Sequence, residues 1–416
     1  MRRSDDDLAR HGYTFQDGRG QAAAARLTGV DAARGLALLG MMATHVLPTF
    51  ESDAQLTPTW VGLAFSGRAA ALFAVLAGIG LALSTGRARP LEGAELCAAR
   101  RGIALRALVV GAVGLSLGGL KLNIAVILVH YALLFLCVLP FIGLRPKHLW
   151  GLAAAWLLAT PVLAYLLRPW LLAAEPPLRL GHNPGWEDLA TPARLLGDLF
   201  LTGYYPVLQW LAYLLIGLAI GRLALTAAAV PALLLAAGTV AAVGTRWLST
   251  VMMEDWGGRA ALQEQLGDPS YPLASLLQVN LAGIDQSGSG WWLASSAPHS
   301  GTTLDLLHTS GVAAAVVGLC LLLRRLADWV ELDLLLPLRG AGALTLSLYT
   351  AHLCVMASLY GHPLPGGWSA EGVYWSQAVV VLILGGVFAK LAWRGPLEWV
   401  GHAANRLGRG GRAGLR

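Results

Sequence analysis

Arg34 and His45 stand eleven residues apart, separated by the apolar stretch from Gly35 to Thr44. On a helix turning 100° per residue they return to within about 20° of one face, about 16 Å apart along the axis. Such a face carries a fixed cation at one depth and an imidazole that titrates near neutral pH at another. Arg68, His130 and His352 also lie inside apolar stretches. Burying such groups in hydrocarbon is costly, so each is a candidate functional residue. A histidine can serve as general base, and a guanidinium beside it can donate to developing negative charge. The same set can bind an anion or relay protons in a transporter. Plainer readings are Arg34 snorkelling to headgroups, His45 closing a helix before Pro48, and separate interhelical hydrogen bonds.

The elements that must position these residues follow from composition. Of 416 residues, 56% are hydrophobic and 13% charged, with 50 Gly and 15 Trp. That charge is about half the roughly 25% of a soluble domain, so the chain is expected to be an all-α integral membrane protein. Apolar runs long enough to cross about 30 Å of hydrocarbon lie near 29–48, 61–83, 103–119, 122–143, 149–167, 199–221, 225–247, 306–323, 335–358 and 373–392. These predict about ten transmembrane helices. With the N-terminus inside, 22 Lys/Arg fall on the inner side and six outside, which predicts two cytoplasmic termini. The net charge of +6 is accounted for by this placement, and no nucleic-acid partner is expected. Residues 1–25 and 393–416 read as cytoplasmic tails, the first disordered and the second basic, with disorder expected from Asn405. Residues 26–392 form the membrane domain, with long outer segments at about 168–198 and 248–305. Thr28 to Asp31 has the form of a capping box opening the first helix. No internal repeat is evident, and the four cysteines read as apolar fillers.

Counting inward from the outer ends places His45, Arg68, His130 and His352 within roughly 10 Å of one another in depth. Thr345, Tyr349 and His352 share a stripe at i, i+4, i+7. One outward-opening polar cavity is expected, lined by the stretches 29–48, 61–83, 122–143 and 335–358.

The stretch RLTGVDAARGLALLGMMATH (26–45) resembles the opening of the heparan-α-glucosaminide N-acetyltransferase-like family, and its Arg-x10-His spacing resembles the related acyltransferase-3 family. Residues 67–78 and ILVHYALLF (127–135) are similar to later helices of these proteins. LTGYYPVLQWLAYLLIGLAIGR (201–222), LTLSLYTAHL (344–353) and RGPLEW (394–399) are similar to the C-terminal half of YeiB-like bacterial membrane proteins. The animal N-acetyltransferases place their catalytic histidine further along. Segment 49–60 has no histidine here, so the acyltransferase-3 analogy gives the role to His45.

The resemblance implies a transmembrane acyltransferase that moves an acyl group, acetyl foremost, from cytosolic acyl-CoA to an extracytoplasmic acceptor, with a glycan among the candidates. A transporter or flippase of an anionic or glycan-linked substrate is the competing reading. On the first reading His45 is the base, Arg68 or His352 stabilises the oxyanion, and His130 lines the site. Arg34, Arg87, Arg89, Arg100, Arg101 and Arg106 would meet the CoA phosphates, although a positive-inside signal alone also explains them. The outer Trp256, Tyr271, Trp291 and Trp292 could stack on a sugar or anchor the interface, and His299 and His308 are secondary candidates. No metal-ligand spacing is present, so no metal is expected. The expected location is the plasma (cytoplasmic) membrane, multi-pass. The oligomeric state is left open, a homodimer included.

Overall fold

The computed structural model describes residues 27–411 except 121, 176–177, 331–332 and 363–364. The N-terminal tail at 1–25, Lys121 and residues 412–416 lie outside the described residues. In chain order the α-helices are α1 (Thr28–Val46), α2 (Trp60–Phe65), α3 (Arg68–Ser84), α4 (Gly93–Gly118), α5 (Leu128–Cys137), α6 (Pro146–Leu172), α7 (Pro192–Gly197) and α8 (Val207–Gly221). They continue with α9 (Val230–Thr250), α10 (Gly258–Leu266), α11 (Leu273–Val279), α12 (Thr303–Trp329), α13 (Leu336–Ala343), α14 (Thr345–Leu359), α15 (Ala370–Lys390) and α16 (Pro396–Gly408). No strand occurs among the described residues, only an isolated bridge between Phe50 and Pro58.

The apolar surface sorts the helices into a centre and a rim. Every residue of α8 except Leu208 is buried, and most of α1 and α3 is buried with it. By contrast α6, α9 and α15 leave Leu158, Leu166, Leu233, Val240, Val380 and Ile383 exposed. An apolar surface of that extent on a helical bundle is suited to lipid rather than water.

Two glycine seams draw the central helices together. A Cβ on Gly78 would fall onto the Leu214 carbonyl, and one on Gly217 onto the Val75 carbonyl, so α3 and α8 meet backbone to backbone. The second seam joins α1, α13 and α15, with Gly35 against the Leu338 carbonyl, Gly342 against Asp31 and Gly340 against Gly385. Small residues permit this approach where helices associate by packing alone.

Among the described residues six helices are long and apolar enough to cross a bilayer, or eight when each of two bent pairs counts as one span. The expected runs at 199–221 and 335–358 are the bent pairs, broken by 58° and 82°. The run at 122–143 yields only the ten-residue α5. Its N-terminal side is instead an irregular segment held by Asn183, which accepts from Val126 N at 2.8 Å and donates to the Ile124 carbonyl at 2.7 Å. Its C-terminal end gives way at Leu139–Phe141 to a tight turn containing Pro140. The first run forms the 19-residue α1, which carries Asp31, Arg34 and His45 among its apolar residues.

The capping box is not formed. The helix already includes Thr28, no side chain caps it, and Asp31 pairs with Arg34 instead. The C-terminal end also differs from expectation, because α16 continues helical from Asn405 through Gly408. It packs along α4, where Arg101 Nε donates to the Gly408 carbonyl at 3.2 Å. Residues 251–301 enclose a small core of their own, built on Met253, Leu262, Leu273, Leu281 and Trp292.

Candidate active site

The candidate side chains lie in one cluster of buried histidines and tyrosines, which the two bent helix pairs help to position. Helix α14 begins anew at the 82° bend, where its first amides, Leu346 N and Ser347 N, donate to Glu398 Oε1 at 2.7 and 3.0 Å. Glu398 thus does for α14 what the missing preceding turn would have done. This orientation sends Tyr349 and His352 inward, 4% and 3% exposed.

His352 and His45 stack, with ring centroids 5.3 Å apart and planes at 11°, and His45 Nδ1 lies 3.1 Å from His352 Nε2. On the other side His352 Nδ1 lies 2.8 Å from Gln377 Oε1, an oxygen that can only accept. His352 therefore carries its proton on Nδ1, its Nε2 accepts from His45 Nδ1–H, and His45 Nε2 is left with a lone pair. No hydrogen bond is made to that nitrogen among the described residues. The arrangement orients one imidazole through another, as second partners do in hydrogen-bonded base systems. Gln377 on α15 was not singled out from the sequence. A lone Gln in an apolar helix was the available signal.

Tyr349 links this pair to the other aromatic side chains of the cluster. It lies 6.1 Å from His45 between ring centroids and sits within electrostatic range of Tyr131 and Tyr205. His130, fully buried, packs edge-on against Tyr205 at 5.5 Å and lies beside the Val126 backbone. Tyr205 in turn meets His299 at 5.6 Å, and His299 stacks on Trp210 at 6.2 Å. Burial pushes the His299 imidazole down to about 4, a hydrogen bond to the Tyr204 backbone offsetting this only in part. It is neutral at pH 7.

Arg68 lies at the start of α3, next to Gly67, whose added Cβ would meet Pro298 and the His299 ring. Its Nε donates to His308 Nε2 at 3.2 Å, while His308 Nδ1 donates to the Ala242 carbonyl at 2.8 Å. Asp305 and Arg246 are within electrostatic range of Arg68. The four expected residues therefore divide. His45 and His352 meet directly, whereas His130 meets Tyr205 and Arg68 meets His308. Of the two secondary histidines, His299 packs against Tyr205 and His308 accepts from Arg68.

The segment after α6 is tied together by two carboxylates. Asp188 accepts from Gly185 N, Arg179 and His182, and Asp198 accepts from Arg179 N and Nε, all at 2.7–2.8 Å. Partial burial works against the Asp188 charge, but these partners more than offset it and hold the carboxyl at about 2. The network fixes the π-helical turn Asp198–Thr202, which leads into Gly203 beside the His130 ring.

The sequence profile of the heparan-alpha-glucosaminide N-acetyltransferase catalytic family matches residues 26–249. The chain belongs to that family. No curated protein matches it at a significant level. The matched stretch of this acetyltransferase family includes His45, Arg68 and His130, while His352 and Gln377 lie beyond it.

The arginines expected at the inner face of this acetyltransferase-family chain separate into two kinds. Arg34 pairs with Asp31 at 2.6 Å and is within electrostatic range of Arg106 and of Tyr131. Arg100 donates to the Leu139 and Pro140 carbonyls at 3.0 and 3.1 Å, and Arg101 holds Gly408. Arg87 and Arg89 belong to the turn after α3. That turn is clamped by the buried Arg222, which donates to the Ala82, Thr85, Arg87 and Ile142 carbonyls. Topology alone had accounted for Arg222; the structure makes it the clasp on the α3 C-terminus. Among the outer aromatics, Trp292 is 1% exposed and part of a core, which leaves its face unavailable for stacking, while Trp256 is 61% exposed. No group of three metal-ligating side chains that could hold a metal ion occurs among the described residues.

Proposed function

We propose that this chain is a transmembrane acetyltransferase that takes the acetyl group of cytosolic acetyl-CoA and passes it to an acceptor amine or hydroxyl at the outer face. One observation carries the reading: the contacts from Gln377 through His352 to His45 Nδ1 leave His45 Nε2 without a hydrogen-bond partner among the described residues. His45 Nε2 removes the acceptor proton as the acceptor nitrogen or oxygen attacks the thioester carbonyl carbon. The C–S bond then breaks, CoA leaves as thiolate, and the proton passes to sulfur. His352 spends its free nitrogen on His45, so its role is to orient, and donation to the developing oxyanion falls to Arg68. The buried His130 and Tyr131 line the path of the acyl group. Arg34 and Arg106 meet the CoA phosphates, with Arg87, Arg89, Arg100 and Arg101 adding a positive approach.

The broken helices beside the cluster are also the mark of many transporters, which keeps transport of an anionic or glycan-linked substrate as the second reading. Purified protein in nanodiscs separates the two. Acceptor-dependent release of free CoA is expected, and His45→Ala should lower it by about 10²–10⁴-fold while acyl-CoA binding persists. Substrate flux in liposomes with no CoA release would favour transport.

A further inference from the structure

Arg168, at the C-terminal end of α6, is 9% exposed, yet it makes no hydrogen bond or ion pair among the described residues, and its Nε is fully buried. Asp285 is within electrostatic range but is not an ion-pair partner, and its carboxylate oxygens accept from Ser287. Arg168 lines a recess with Gln209, Gln286, Trp292, Ser300 and Thr302. Three buried polar atoms there have no partner: Arg168 Nε, Gln209 Oε1 and Trp292 Nε1. Gln209 and Trp292 are 2% and 1% exposed. A largely buried guanidinium with no ion-pair partner is costly unless something supplies negative charge close to it.

We infer that this recess is an oxyanion-binding site, taking a carboxylate, phosphate or sulfate group through Arg168 and the Trp292 indole N–H, with Gln209 Oε1 accepting from a neighbouring hydroxyl. The guanidinium fork matches a planar or tetrahedral oxyanion, and the indole N–H is a donor with no competing acceptor. The recess stands apart from the His45 pair and lies next to the contacts of His299 with Trp210 and Tyr205. Gln209 packs on Gly301, and in the same loop His299 stacks on Trp210, the residue after Gln209. On the acetyltransferase reading the bound group is an acidic substituent of the acceptor. The site itself does not depend on that reading.

The test is binding without any acyl donor. Glucuronate, inorganic phosphate, sulfate and uncharged glucose are titrated into the purified full chain in nanodiscs, followed by calorimetry and thermal shift. Saturable stabilisation by the anions and none by glucose is expected. Glucuronate binding ten-fold tighter than the inorganic anions would identify a sugar acid as the source, and equal binding would identify the bare oxyanion. Arg168→Gln should weaken binding at least ten-fold, and Trp292→Phe, which keeps the ring and loses the N–H, several-fold. Gln209→Glu places a carboxylate on the recess wall. It should abolish anion binding without loss of thermal stability, which keeps the test decisive should Arg168→Gln misfold. His45→Ala should leave binding unchanged, so a dead transfer reaction and an empty recess give different results. Absence of anion binding in the parent protein, or tight binding retained in Gln209→Glu, would overturn the site.

Discussion

Because the Gln377 oxygen accepts and cannot donate, it fixes a tautomer two rings away, at His45. Gln377→Leu removes the acceptor. His352 is then free to carry its proton on Nε2 and to donate to His45, which moves the His45 proton onto the nitrogen needed as base. The expected result is a kcat lower by about 10–100-fold, the range seen when an orienting partner is lost, with KM for acetyl-CoA unchanged. Gln377→Glu keeps an acceptor and should restore most of the rate. Nitrogen-15 shifts of His45 report the tautomer directly, and an unaltered His45 spectrum in Gln377→Leu would refute the relay even if activity fell. At the other end of α1, Arg34→Gln should weaken acyl-CoA binding about ten-fold, since a charge-assisted hydrogen bond is worth roughly 1.5–3 kcal/mol. Its pairing with Asp31 sets a limit, because the ion pair must yield part of the guanidinium to the ligand.

At the scale of elements, the relay holds together only if α1, α14 and α15 keep their register, and the α1–α13–α15 glycine seam sets it. Gly340→Ala pushes a methyl group into the Gly385 carbonyl of α15. A loss of about 1–3 kcal/mol is expected from overpacking, along with a weaker His45–His352 contact, read as a lower thermal midpoint and lower kcat together. The Asp188 network makes a pH-dependent contribution. Its carboxyl falls from 3.8 to about 2 on folding, so its stabilisation is complete above about pH 4 and disappears as pH drops through about 2. The shift corresponds to about 2 kcal/mol at neutral pH. Asp188→Asn should therefore melt below the parent at pH 7, and the two midpoints should converge near pH 2 in thermal scans. A constant gap across that range would assign the effect to packing instead.

For the whole molecule, the asymmetry of 22 inner against six outer Lys/Arg remains the argument for both termini in the cytoplasm. Cysteines at Ser287 and Leu407, in a background lacking the exposed Cys97 and Cys354, should label from opposite sides of intact cells. Labelling from one side would invert or abolish the proposed orientation, and with it the inner donor and outer acceptor.

Much of this was present in the linear chain because hydrophobic runs and isolated charges are local properties. The helical membrane class and the candidate status of His45, Arg68, His130 and His352 follow from residues considered within a turn or two of themselves. Helix integrity was not local in that sense. The run at 122–143 is apolar throughout except Asn123 and His130, yet its first six residues are not helical, because Asn183, some sixty residues away, satisfies their backbone. The stretch 335–358 bends by 82° because Glu398 caps the amides that the bend exposes. Pairing was even less legible. A stripe on α14 shows that His352 faces protein, but only the packed bundle brings it to His45 and presents Gln377 behind it. Nothing in an apolar helix tells one amide side chain that it will meet an imidazole from another. The tautomer, and hence which nitrogen can act as a base, is a property of contacts between three distant helices, so only the tertiary structure could decide it.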